Sequence, residues 1–164
     1  MRKTSAAVIG AVSVTMVLAS AGLAGASARP AASGTEHFQL MTTSATSKTS
    51  STIATGLFTA GGTDTRTTNS TDTLTFPTGT FVITHSKGTG SQSFNPKTCL
   101  LTVSEKGTYK LGSGTGAYAN ISGNGTYQLS ILAVTAKSGG NCLKTAPPST
   151  WQEVIRASGP VSVH

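Results

Sequence analysis

Along most of the chain, large apolar side chains recur at every second position. Phe81, Ile83 and His85 share one face of the run Thr80-Phe81-Val82-Ile83-Thr84-His85. Cys99, Leu101, Val103 and Glu105 form a second such series, Tyr127, Leu129, Ile131 and Ala133 a third, and Trp151, Glu153 and Ile155 a fourth. Shorter stretches with the same character predict strands over 36–43, 53–60 and 73–76. Threonine, serine and valine fill the intervening positions and suit a pleated, half-buried surface, while glycines punctuate it. Seven or eight strands joined by short turns predict an all-β fold, an antiparallel barrel or a sandwich. An antiparallel barrel of about eight strands is the preferred form, because closure removes the exposed edges of a Thr-rich sheet. The polar stretch 63–73 lacks large apolar residues, so Asp64 and Asp72 read as turn residues of a loop.

The first 28 of the 164 residues follow a different pattern. Arg2 and Lys3 precede an uncharged apolar run from Ala6 to Leu23, which ends in Ala26-Ser27-Ala28. Positive start, apolar middle and small-residue exit are the marks of a cleavable secretory signal. Ser13, Thr15 and Ser20 interrupt the run, which argues against a membrane span, and no cysteine follows it to carry a lipid. The expected organisation is a signal peptide over 1–28, a flexible leader over 29–34 and one barrel domain over 35–164, secreted and not inserted stably in a membrane. Export to an oxidising compartment makes a Cys99–Cys142 disulfide the default reading of the only two cysteines. Such a bridge closes 142 − 99 = 43 positions and stabilises a fold by roughly 3–4 kcal/mol when its geometry is relaxed.

Charge narrows the function classes. Removing the signal takes two of twelve basic residues and none of the five acidic ones, leaving 10 − 5 = +5. The basic residues are scattered and not interleaved with aromatics, so no nucleic-acid partner is expected; the charge favours solubility and weak attraction to anionic polymers or membranes. Two cysteines without a histidine cluster predict no metal, and no motif predicts a cofactor. Few carboxylates argue against glycoside hydrolysis and calcium sites. Asn69, Asn120 and Asn124 each begin an N-x-S/T sequon, expected to carry no glycan in a bacterial-type exported protein.

The segment Gly112 to Tyr127 is rich in glycine. It does not read as a phosphate loop, because a turn and a strand follow the glycines where a helix N-terminus is needed. Gly79-Thr80-Phe81, Gly107-Thr108-Tyr109 and Gly125-Thr126-Tyr127 repeat a G-T-aromatic pattern, and the last two predict hairpin strands flanking the glycine segment. Gly114-Thr115-Gly116-Ala117-Tyr118 followed by Gly123-Asn124-Gly125 resembles a motif of the allene oxide cyclase and dirigent barrel superfamily, especially its small exported bacterial members. The resemblance implies an eight-stranded barrel with an apolar interior over about 36–163; plant members of that group are cyclases or steer radical coupling, and neither activity is carried over to this chain. None of that group's catalytic residues maps onto this chain.

His85, Glu105 and Glu153 each continue an apolar series to a strand end, so a closed sheet predicts them near one mouth as acid–base candidates. Phe81, Ile83, Leu101, Val103, Tyr127 and Leu129 are the expected ligand-facing residues of the interior. The leading expectation is a non-enzymatic exported barrel that binds a small apolar or aromatic molecule. A cyclase- or isomerase-like enzyme and a cell-surface structural or interaction protein are the alternatives, and the oligomeric state is left open.

Overall fold

The structure, a computed structural model, describes residues 31–164; the expected signal peptide and Arg29 and Pro30 of the leader lie outside the described residues. The strands are β1 (Ala32–Thr42), β2 (Thr49–Gly56), β3 (Ala60–Arg66), β4 (Thr71–Phe76), β5 (Gly79–His85), β6 (Thr89–Asn95), β7 (Leu100–Gly114), β8 (Ser122–Thr135), β9 (Lys137–Ser138), β10 (Asn141–Cys142) and β11 (Pro148–Val163). One 3-10 turn, Gly116–Tyr118, joins β7 to β8.

Eight strands close an antiparallel barrel in the order β1-β2-β3-β4-β5-β7-β8-β11, with β11 returning to β1. Closure settles the barrel-or-sandwich choice. Strand β7 has two partners in succession along one edge: Tyr109 to Gly114 pair with β5, and Leu100 to Lys106 pair with β6. Strand β6 therefore lies outside the ring, on a wall that β7, β8 and β11 extend beyond the ends of β3, β4 and β5.

Several boundaries differ from expectation. Ala32 to Gly34, expected in the leader, belong to β1 and pair with Val163 to Val161 of β11. The single strand expected over 53–60 is two, because the chain reverses between Gly56 and Ala60. The loop expected over 63–73 holds the end of β3 and the start of β4, paired from Thr63–Thr75 to Arg66–Asp72. Asp64 and Asp72 are therefore strand residues rather than turn residues. Strand β6 has no apolar alternation to announce it, with Phe94 as its one large apolar side chain.

The glycine segment shows why its pattern repeats. Strands β7 and β8 pair Gly107 with Tyr127 and Tyr109 with Gly125. A methyl at Gly107 would lie 2.5–2.7 Å from the Tyr127 ring, and one at Gly125 would lie 2.7 Å from the Tyr109 ring. Each tyrosine thus lies across the other strand's glycine, where only a missing side chain leaves room. Gly116, at φ 58°, starts the 3-10 turn in the left-handed region open to glycine.

That turn delivers Tyr118 to one end of the barrel. Its ring lies 5.0 Å from Phe58, 5.3 Å from Phe81 and 5.8 Å from Phe76, and Phe38 joins the same stack 5.9 Å from Phe81. Offset and edge-on rings at these separations pack closely and fill this half of the barrel. At the other end Cys99 and Cys142 are bonded, with Cα atoms 5.4 Å apart, tying β10 to the start of β7. Among the described residues no helix is long and apolar enough to cross a membrane. Met41, Ile53, Leu100, Leu132 and Leu143 are exposed large apolar side chains.

Candidate functional site

Beyond the aromatic plug the inward positions turn polar. Asp64 and Arg66 are two apart on β3 and share a face; Asp72 of β4 stands opposite Arg66, and Ile83 of β5 opposite Asp72. His85 follows Ile83 on the same face and is paired with Tyr109. On the far wall Glu153 stands opposite Ile131, and Glu105 opposite Leu129. With Tyr127 of β8, six strands bring charged or titratable groups to one region.

The contacts join these groups into a chain. The Tyr127 hydroxyl lies 2.5 Å from Glu105 Oε1 and 2.9 Å from the Ser86 carbonyl, its one proton facing two acceptors. The Tyr127 ring meets His85 edge-on at 5.9 Å. His85 Nε2 is 3.4 Å from Asp72 Oδ2, and Arg66 Nη2 is 3.7 Å from Glu153 Oε1. Asp64 feels the charges of Asp72, Arg66 and Glu153, members of both contacts. The three candidates His85, Glu105 and Glu153 are thus brought to one region, but not into mutual contact: Tyr127, Asp72, Asp64 and Arg66 link them.

Burial governs the electrostatics. Desolvation pushes the Asp64 carboxyl up to about 7; the charges of Asp72 and Glu153 push the same way and Arg66 opposes them. Asp72 is also raised by burial, with His85 and Arg66 pulling it back. Burial and the hydrogen bond to Glu105 push the Tyr127 phenol up to about 12. Asp64 Oδ1, Asp72 Oδ1 and Thr52 Oγ1 are buried and find no hydrogen-bond partner among the described residues. Buried polar atoms are nearly always satisfied; Glu36 Oε1, Tyr109 Oη, Thr135 Oγ1 and Trp151 Nε1 share this state, and what sets Asp64 and Asp72 apart is that their carboxyls lie together. Among the described residues no three His, Cys, Asp or Glu side chains gather as a metal-holding group.

The six expected ligand-facing residues divide. Phe81, Ile83 and Tyr127 are buried in the packed core. Leu101, Val103 and Leu129 are half-buried on the inner face of the extended wall, beside the polar cluster. A depression of about 460 Å3 lies between Thr43–Thr46 and Pro147–Trp151, and its lining includes neither the carboxylates nor Leu101, Val103 and Leu129. Asp64, Asp72 and Arg66 are site residues that the sequence pattern did not single out. Asp72 was legible: it alternates in phase with Leu74 and Phe76 in Thr71-Asp72-Thr73-Leu74-Thr75-Phe76.

Another carboxyl serves the fold. Glu36 is fully buried at the plugged end, where its Oε2 accepts the Phe58 N–H at 3.0 Å. Burial raises its proton affinity, and hydrogen bonds from the backbone of Phe58, His37 and Leu57 lower it. It thereby satisfies donors of the β2–β3 reversal.

No protein-family model matches the chain, and no curated protein or solved structure matches it either. The molecule is an antiparallel eight-stranded barrel with carboxylates gathered at one end of its interior.

Proposed function

We propose that this is an exported binding barrel. Its polar end takes a small molecule with an apolar body and a cationic or hydrogen-donating head. The observation that carries the reading is the pair Asp64 and Asp72, each with one buried, unpartnered oxygen. The head meets those oxygens, and the body lies along the half-buried Leu101, Val103 and Leu129. The packed rings around Phe81 argue against the same ligand reaching the other half of the barrel. Export is supported by the N-terminal pattern and fits the disulfide.

Calorimetric titration with 2-phenylethylamine and with 3-phenylpropionate tests this. The amine is expected to bind and the acid is not. D72N is expected to weaken the amine by roughly 10- to 100-fold, the range for a charged hydrogen bond of about 1.5–3 kcal/mol. Equal binding of amine and acid, no binding of the amine, or an unaffected D72N variant refutes the reading.

One observation favours a second reading, a cyclase- or isomerase-like enzyme of the kind the glycine motif resembles. A carboxyl that keeps its proton to about pH 7 stands near a histidine–carboxylate contact, a donor and an acceptor at one site. Exchange of a bound ketone's α-hydrogens into deuterated water tests it; exchange no faster than in buffer, or undiminished in D64N, ends it.

A further inference from the structure

The barrel segregates its charge. The five acidic side chains that follow the expected signal all turn inward: Glu36 and Asp64 are buried, and Asp72, Glu105 and Glu153 are half-buried. The described basic side chains are all exposed: Arg66 at the polar mouth beside Glu153, and Lys48, Lys87, Lys97, Lys106, Lys110, Lys137, Lys144 and Arg156 elsewhere. Among the described residues no acidic side chain is exposed, so the outer surface is cationic beyond what the net charge conveys.

Two of these cations sit in a formed depression. The outer face of β2, β1, β11, β8 and β7 bears a shallow hollow of about 780 Å3. The register places Ile53, Gln39, Arg156, Gln128 and Lys106 in one row across these five strands. The neighbouring row carries the hydroxyls of Thr55, Ser158, Thr126 and Thr108, with the exposed His37 imidazole between Thr55 and Ser158. A polymer crossing the strands meets amide, guanidinium, amide and ammonium in turn, with the two cations two strands, or about 10 Å, apart.

We propose that this outer hollow binds an acidic polysaccharide. Glutamine amides both donate to and accept from sugar hydroxyls, and Arg156 and Lys106 take the carboxylates. The alternation suits a polymer that carries hydroxyls and carboxylates on one backbone. A nucleic acid fits less well: no Phe, Tyr or Trp is exposed among the described residues to stack on a base. A bilayer is flat and does not follow a concave face. This site lies on the outer face of the barrel wall and stands or falls independently of the interior one.

The test is binding of polygalacturonate at physiological salt, with dextran, poly(dT) and phosphatidylglycerol vesicles in parallel. The double variant R156Q/K106Q is compared with K48Q/K87Q, which removes the same charge elsewhere on the exposed surface. Saturable binding of polygalacturonate is expected, weakened about tenfold in R156Q/K106Q and less than about twofold in K48Q/K87Q, as screened surface contacts allow. Because all four side chains are exposed, both variants are expected to melt with the wild type. The proposal is overturned by equal weakening in the two variants, by no binding of polygalacturonate, by equal binding of dextran, or by tighter binding of poly(dT) or vesicles.

Discussion

Asp64 is 6 % exposed and keeps its proton up to about pH 7 in the folded chain. The unfolded chain releases that proton near pH 4. Between these values the folded state binds more protons, so raising the pH removes stability. The span from 3.8 to about 7 corresponds to a loss on the order of 4 kcal/mol. Asp72 and Glu36, raised by burial as well, act in the same direction. Thermal unfolding is therefore expected at a higher temperature at pH 5 than at pH 8. In D64N the slope flattens, and the variant is the more stable protein at pH 8. A wild-type melting temperature that rises from pH 5 to pH 8 contradicts this assignment. If the amine-binding reading holds, the stabilising variant is also the impaired one, the trade expected where buried charge serves a ligand.

At the scale of strands, the paired Gly-Thr-Tyr motifs fix how β7 and β8 pack. G107A drives a methyl into the Tyr127 ring, whereas a methyl at Gly112, farther along the same strand, meets nothing within 4 Å. G107A is expected to cost about 1–3 kcal/mol, the range for overpacking, and G112A to stay within about 0.5 kcal/mol of wild type. Urea midpoints check both, and equal midpoints would show that the ring does not rest on Gly107. These motifs were legible in the sequence as strands flanking a glycine-rich reversal, and so were β5, β7, β8 and β11, where large apolar residues alternate. Strands β3 and β6 were not. The inward positions of β3 are Ala60, Gly62, Asp64 and Arg66, which carry no large apolar side chain, and β6 offers Thr89, Gly90, Ser91, Gln92 and Ser93 before Phe94. The candidate site was legible where a charged or titratable residue joined an apolar series, at His85, Glu105 and Glu153; of the three only His85 stands at a strand end, whereas Glu105 lies within β7 and Glu153 within β11. It was hidden at Asp64 and Arg66, where no apolar neighbour marked the face.

For the whole molecule, the Cys99–Cys142 bond spans 43 positions and anchors the segment between β8 and β11 to the foot of β7. Its removal in a C99A/C142A variant is expected to lower stability by about 3–4 kcal/mol, mainly through the freer unfolded chain. Denaturant titration under oxidising conditions measures the difference, and a change below about 1 kcal/mol would mean that the unfolded chain is already restrained there.

The two partners that share one edge of β7 carry a different consequence. The ring closes between β5 and β7 by hydrogen bonds alone, while the covalent path from one to the other runs out through Lys87 and β6. A single tryptic nick after Lys87, an exposed residue between β5 and β6, severs that detour and leaves all the ladders intact. The two pieces share the seams β5–β7 and β1–β11, and both cysteines reside in the later one. They are expected to co-elute as one particle on size exclusion and to part only in denaturant, which makes the chain a natural starting point for a split protein that reassembles from two separately made halves.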